Sequence, residues 1–242
     1  MIATRPLLGL DTSTAIGSVA LGDGRRVLAE AAIGVQAKHA ESLLPTVDFL
    51  LRSAALAPGD IGGVVVAGGP GSFTGVRIAA ATAKGLVHAL GVPLFAYSGL
   101  MAQAAAFGGS ERIVCALFDA RRAEVYAGAF RFPGLRRVET VLAPCVLPLS
   151  ELLDRMHETV SLERMHGASG GRVVYTGDGA LRHRDTIEAV QGLVPPAHLA
   201  LPRASALLWL SSIDPEAGRV HDAAGWEPIY LRESGAERMK RE

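Results

Sequence analysis

Cysteine is scarce in this 242-residue chain: there are two, Cys115 and Cys145, in apolar surroundings and without metal-ligand spacing. That argues against a disulfide framework and reads as reduced core thiols in a cytoplasmic protein. Net charge is missing as well, with 24 Lys+Arg against 24 Asp+Glu, so no broad positive field exists to hold a nucleic acid by its phosphates. No uninterrupted apolar run reaches the ~18 residues needed to span a bilayer. The segment Met1 to Leu10 is too short for a signal peptide, so membrane association is not expected. None of the seven histidines stands in a His-Glu-x-x-His pattern or forms an adjacent ligand pair with another, which removes the usual signature of a metallopeptidase.

What is present is a globular composition, 49% hydrophobic and 20% charged, organised around the stretch from Gly62 to Leu86. Val64, Val65 and Val66 form a β-branched run without polar alternation, the mark of a strand covered on both faces. Gly68-Gly69-Pro70-Gly71 then lets the backbone turn sharply, and Ser72 or Thr74 can cap the helix that follows. A helix N-terminus opening from a glycine turn can bind an anion, which makes Gly69, Gly71 and Ser72 candidate contacts. The same residues serve equally as a tight strand-to-helix turn with no ligand. A Walker A loop is excluded, because Gly75 is followed by Val76 and Arg77 rather than Lys-Ser/Thr.

Upstream, Leu7 to Leu10 predicts a strand ending in Asp11-Thr12-Ser13-Thr14. Asp11, Thr12 and Ser13 could hold a phosphate or a metal-bound water, or form a plain turn through their own backbone. Strands are expected at Gly17 to Leu21 and Arg26 to Ile33, joined by the hairpin signal Asp23-Gly24. Lys38 to Ala54 predicts an amphipathic helix with Leu43, Val47, Leu50 and Leu51 at helical spacing, while Leu44 and Phe49 widen the apolar arc. His39 is the one candidate metal ligand there, and Leu43 occupies the place a turn later where a second would stand. The small-residue helix Gly75 to Leu90 leads to a strand at Val92 to Ala96 and an alanine-rich helix at Ser98 to Phe107.

Gly108-Gly109-Ser110 suggests a domain boundary, giving an N-terminal lobe over 1–109 and a C-terminal lobe over 110–233, followed by a charged tail over 234–242. The second half echoes the first. Ile113 to Phe118 ends in Asp119, Glu124 to Phe130 is its hairpin mate, and Gly171 to Gly179 repeats the strand and glycine turn. Asp11 precedes Gly68 by 57 positions and Asp119 precedes Gly177 by 58, which points to two copies of one α/β unit. Leu135 to Leu149 reads as an edge strand and loop, Ser150 starts a helix, Ser161 to Gly171 reads as an exposed loop, and Ala204 to Ile213 as a helix. Trp226 to Arg232 is a short strand-like segment, and the residues from Glu233 onward are expected to be solvated. The Arg131 to Arg137 segment is read as solvated surface charge.

The run Gly69-Pro-Gly-Ser-Phe-Thr-Gly-Val-Arg77 resembles the TsaB (YeaZ) family of bacterial proteins needed to make threonylcarbamoyladenosine on tRNA. Agreement extends to Asp11-Thr-Ser-Thr14, His39 to Pro45, Ala83-Lys-Gly-Leu86, Asp119-Ala-Arg-Arg122, Glu124-Val-Tyr126, Gly177-Asp-Gly179 and Pro228-Ile-Tyr-Leu-Arg232. The resemblance implies two related actin-like, Hsp70-like, sugar-kinase-like (ASKHA, ribonuclease H-like) lobes and a role that is not itself catalytic. It implies pairing with a TsaD-like paralogue, the threonylcarbamoyltransferase acting on tRNA that reads codons beginning with adenine, and association of a TsaE-like ATPase. ATP and metal are then expected in those partners and no cofactor in this chain alone, with tRNA met only through the complex.

The same resemblance implies that the two N-lobe helices carry the contacts, which makes Leu43, Leu44, Val47, Leu51, Ile78, Ala79, Thr82 and Leu86 the pool for a partner or homodimer interface. An apolar surface on two adjacent helices also permits homodimers when the partner is absent. Two other readings stay open: an ATP-binding phosphotransferase of the sugar-kinase type, motivated by Asp11 and the glycine turns, and a degenerate metallopeptidase-like protein.

Overall fold

The computed structural model describes residues 5–34, 38–109, 111–134, 136–165 and 171–232. The tail expected from Glu233 onward lies outside the described residues. The chain forms β1 (Leu7–Asp11), β2 (Gly17–Gly22) and β3 (Val27–Ile33), then α1 (His39–Ser53), β4 (Gly63–Ala67), α2 (Phe73–Leu90), β5 (Leu94–Tyr97) and α3 (Gly99–Ala105). A second round follows with β6 (Val114–Asp119), β7 (Glu124–Arg131), β8 (Glu139–Pro148), α4 (Leu149–Met165), β9 (Val174–Thr176), α5 (Asp178–Arg182) and α6 (Arg184–Ala189). The last elements are α7 (Ala204–Ile213), α8 (Pro215–Gly218) and β10 (Arg219–Val220).

The first sheet has the order β10-β5-β4-β1-β2-β3 and the second β8-β7-β6-β9. In each, a strand ending in aspartate pairs antiparallel with its hairpin mate, Asp11 opposite Ser18 and Asp119 opposite Val125. The same strand pairs in parallel with the strand before the glycine turn, β1 with β4 and β6 with β9. This is the duplicated α/β order that the repeated spacing anticipates, and it agrees with the two related actin-like, sugar-kinase-like lobes that the family resemblance implies.

In the first unit the sheet is covered on both faces, which is why β4 tolerates an all-buried valine run. Leu8, Leu10, Val64 and Val66 cluster with Leu43, Val47, Leu51 and Ala79 from α1 and α2. The opposite face meets α7. A side chain at Gly9 would put its Cβ 2.7 Å from the Ala204 carbonyl oxygen, so the bare backbone there is what allows α7 to settle. Ser18 Oγ accepts from the Ala204 N–H at 2.9 Å, and Glu30 Oε1 from the Ser205 N–H at 2.9 Å. The second unit closes over its own cluster, including Leu117, Val125, Leu152, Met156, Tyr175 and Ile187.

Three sequence expectations change. The described residues up to Ala102 and those from Pro202 onward form one compact unit, and Gln103–Leu201 the other, whereas the glycines at 108–109 suggested one cut at 109/110. The reason is physical: α7 docks across β1 and β2, and the segment after it returns to the first sheet, so the first unit is discontinuous in sequence. The loop expected over Ser161 to Gly171 is helical as far as Met165, as the last turn of α4, and 166–170 lie outside the described residues. Trp226 to Arg232 carries no strand assignment, although Ile229 N donates to the Gly68 carbonyl oxygen at 2.9 Å.

Candidate functional site

The glycine turn and the aspartate loop are in contact, and they fill each other. Thr12 Oγ1 donates to the Gly75 carbonyl oxygen at 2.7 Å, and Ser72 N–H donates to the Ser13 carbonyl oxygen at 2.7 Å. A Cβ at Gly71 would lie 2.5 Å from the Ser13 carbonyl oxygen, and one at Gly75 would lie 1.9 Å from that of Thr12. Ser72 Oγ caps α2 by accepting from the Gly75 N–H at 3.3 Å. Gly69 has φ +92 and sits so close to the Ile229 carbonyl oxygen that a Cβ would come within 2.5 Å. The glycines are therefore explained by close approach of this chain's own backbone.

Asp11 is buried and its Oδ1 accepts from the Ser13 N–H at 2.8 Å. Burial pushes its carboxyl pKa up, opposed by the hydrogen bond from the Ser13 backbone amide and by the nearby His39 ring. A buried carboxylate beside the turn opposes an incoming anion. Ser13 Oγ is buried without a hydrogen-bond partner among the described residues.

The turn of the second unit is filled in the same manner. A Cβ at Gly177 would fall 2.3 Å from the Leu117 carbonyl oxygen. Asp178 Oδ1 accepts from the Gly179 N–H at 2.9 Å and lies 3.4 Å from the Asp119 N–H, while Asp119 Oδ2 takes Arg182 Nη1 at 2.8 Å. Burial raises the Asp178 pKa, and the neighbouring Asp119 raises it further. A carboxylate thus occupies the helix start where a phosphate-binding turn presents free amides.

His39 is buried and its Nε2 lies 2.9 Å from the Thr14 carbonyl oxygen. A carbonyl can only accept, so Nε2 carries the proton, and Nδ1 faces Gly17, where a Cβ would lie 3.0 Å from it. Leu43, a turn later, is 4% exposed and belongs to the first unit's core. Among the described residues no group of three or more His, Cys, Asp or Glu side chains could hold a metal ion. A single imidazole outside any such group does not supply the ligand set a divalent cation needs.

Burial divides the eight interface candidates into halves. Leu43, Val47, Leu51 and Ala79 are each at most 4% exposed and pack on the sheet. In the isolated chain these four are core residues over the strands beneath α1 and α2, so the surface of the two helices is left to the other four. Leu44 is 52% exposed, and Ile78, Thr82 and Leu86 are half-buried. Phe49, at 63% exposure, joins them from α1. Along α2 the outermost positions include Ala81 and Gly85, and a Cβ at Gly85 would meet nothing within 4 Å. Small side chains at successive turns give another helix a floor on which to lie close.

Sequence reasoning missed the company that α2 keeps. Phe73 and Tyr230 have ring centroids 5.3 Å apart, Arg77 stacks 3.8 Å from the Phe73 centroid, and Arg77 Nε donates to Tyr230 Oη at 3.2 Å. Lys84 Nζ donates to the Ala224 carbonyl oxygen at 3.0 Å. A depression of about 430 Å³ beside this segment is lined by Ala96, Gly218, Arg219, His221, Asp222 and Trp226. Asp222 Oδ1 is already capping the Ala224 and Gly225 amides.

Comparison with known proteins places this geometry. The family model described as TsaD, tRNA N6-adenosine threonylcarbamoyltransferase, matches residues 31–239. The tRNA threonylcarbamoyladenosine biosynthesis protein TsaB of Bacillus subtilis is 33% identical over 235 residues, covering 96% of each chain. The protein of the same name from Escherichia coli is 29% identical over 238 residues, 95% of this chain and 96% of that one. Among solved structures, YeaZ from Pseudomonas aeruginosa superposes with a TM-score of 0.72 at 29% identity, covering 94% of this chain and all of that one.

Proposed function

The chain belongs to the TsaB (YeaZ) family and to threonylcarbamoyladenosine formation on tRNA, and from that premise we propose that it acts there as a non-catalytic subunit activating a TsaD-type transferase. Docking occurs through the outer faces of α1 and α2, with Leu44, Phe49, Ile78, Thr82 and Leu86 as contacts and the Ala81–Gly85 ridge as the line of closest approach. The observation that carries this reading is the pairing of an exposed apolar α1 face, Leu44 and Phe49, with a neighbouring helix whose outer ridge is nearly bare. Its complement is the state of the catalytic places: among the described residues His39 belongs to no group of three or more side chains that could hold a metal, and both glycine turns are filled from within. A TsaE-type ATPase joins the pair, and in the absence of partners the same helix faces support a homodimer.

The deciding experiment is reconstitution of threonylcarbamoyl transfer to tRNA from purified TsaD-type transferase and TsaE-type ATPase with and without this protein. Transfer that requires the protein, with no turnover by the protein alone, is expected. Equal transfer in its absence would overturn the reading.

A further inference from the structure

The motif Pro228-Ile-Tyr-Leu-Arg232 takes no part in the reading above, yet the structure lays it against the docking elements. Pro228 is buried, Ile229 N–H donates to Gly68, and the bare Cα of Gly69 rests on the Ile229 carbonyl. The segment runs back along α2 from Tyr230 at Arg77 to Ala224 at Lys84. Its outer surface is apolar, with Ile229 59% and Tyr230 36% exposed.

Arg77 sits in the middle of this surface in a fixed posture. Its guanidinium carbon is 3.8 Å from the Phe73 ring centroid and 5.5 Å from that of Tyr230, and Nε is spent on Tyr230 Oη. The terminal nitrogens form a fork whose orientation is already fixed by these contacts, the arrangement that receives a carboxylate through two parallel bonds. Among the described residues no carboxylate pairs with it, whereas Lys38, just before α1, lies 3.9 Å from Glu41, and on α1 Arg52 pairs with Asp48. α2 itself carries Arg77, Lys84 and His88 and no acid.

Resting on the TsaB-type reading, we propose that the Phe73–Arg77–Tyr230 cluster receives a carboxylate of the TsaD-type partner, with an apolar side chain of that partner seated on Ile229. The C-terminal segment is then a third component of the docking surface beside α1 and α2. A protein carboxylate fits better than an RNA phosphate. The site is one oriented guanidinium in apolar surroundings at the end of the α2 ridge, and the chain has no net positive charge. Nucleic acid affinity is built from many phosphate contacts together.

The test measures pairing of the full-length protein with its TsaD-type partner at about 0.05 M and about 0.5 M salt, where screening differs several-fold in range. Arg77→Met is expected to weaken pairing about tenfold at low salt and to flatten the salt dependence. Tyr230→Phe keeps the ring but frees Nε, and a smaller loss of about threefold is expected with an unchanged thermal midpoint. Arg77→Lys is expected not to restore the affinity. Arg52→Met, on α1, should leave the salt dependence intact. Wild-type affinity for Arg77→Met at both salts would overturn the proposal, as would unchanged pairing combined with weaker tRNA binding by the complex. Failure of the wild-type protein to pair at all would instead sink the functional reading on which this rests.

Discussion

The hydroxyl of Thr12 and the carbonyl of Gly75 are 2.7 Å apart, although 63 positions separate them in sequence. This bond ties the end of β1 to the first turn of α2 and makes the aspartate loop and the glycine turn one rigid joint. Removing the hydroxyl by Thr12→Val leaves a buried carbonyl with one partner fewer, a loss of about 1–2 kcal/mol. Gly75→Ala is worse, because its Cβ would sit 1.9 Å from the Thr12 carbonyl oxygen, and about 3 kcal/mol is expected. Urea denaturation of both variants measures the order, with Gly75→Ala the less stable.

Gly85→Ala should act in the opposite direction. Its Cβ meets nothing within 4 Å, and the position is interior to an 18-residue helix. Replacing glycine by alanine there gains about 1 kcal/mol, read as a higher thermal midpoint. The added methyl raises the floor on which the partner helix lies, so affinity for the TsaD-type partner should fall several-fold. A variant that is both more stable and equally well paired would show that the closest approach lies elsewhere.

Neighbouring leucines of α1 should separate stability from pairing. Leu43 is 4% exposed, and Leu43→Ala is expected to cost about 2–5 kcal/mol with little direct effect on docking. Leu44 is 52% exposed, and Leu44→Arg should leave the melting transition within about 0.5 kcal/mol of wild type while abolishing co-purification with the partner. The two readouts, taken on both variants, should form a crossed pattern.

Asp11 gives a pH signature. Burial raises its folded-state pKa above the unfolded value, so the native state holds this proton to higher pH than the unfolded chain does. Stability contributed by the protonated form is therefore complete below about pH 3.9. It declines between the unfolded and the folded pKa, by about 1.4 kcal/mol for each pH unit that separates them. Asp11→Asn keeps an oxygen for the Ser13 amide without the charge. It should match wild type in acid and exceed it at neutral pH, a gap that thermal melts across pH 4 to 8 would resolve.

The fold was largely readable because its signals are local and repeated. The valine run of β4, the Asp23-Gly24 hairpin, the helix of Ala204 to Ile213 and the echo of Asp11 in Asp119 each follow from spacing or turn chemistry alone. What escaped was non-local. No periodicity says that α7 returns to cover β1, since the signal is an absent side chain at Gly9 matched to a carbonyl near 204. The site was half legible for the same reason. Leu43 and Leu44 share one residue type and adjacent positions, and only the sheet beneath them decides which is buried. The Phe73–Arg77–Tyr230 cluster left a fainter trace, the apolar Pro228-Ile229-Tyr230 run in a polar stretch.

The hydrogen bond from Ile229 to Gly68 also sets a timetable. A chain emerging from the ribosome delivers α1 and α2 early, but the sheet face beneath α7 and the flank of α2 stay open until α7 and the segment after it have been made. The flank of α2 is thus completed only after the residues that cover it have been made, long after α2 itself.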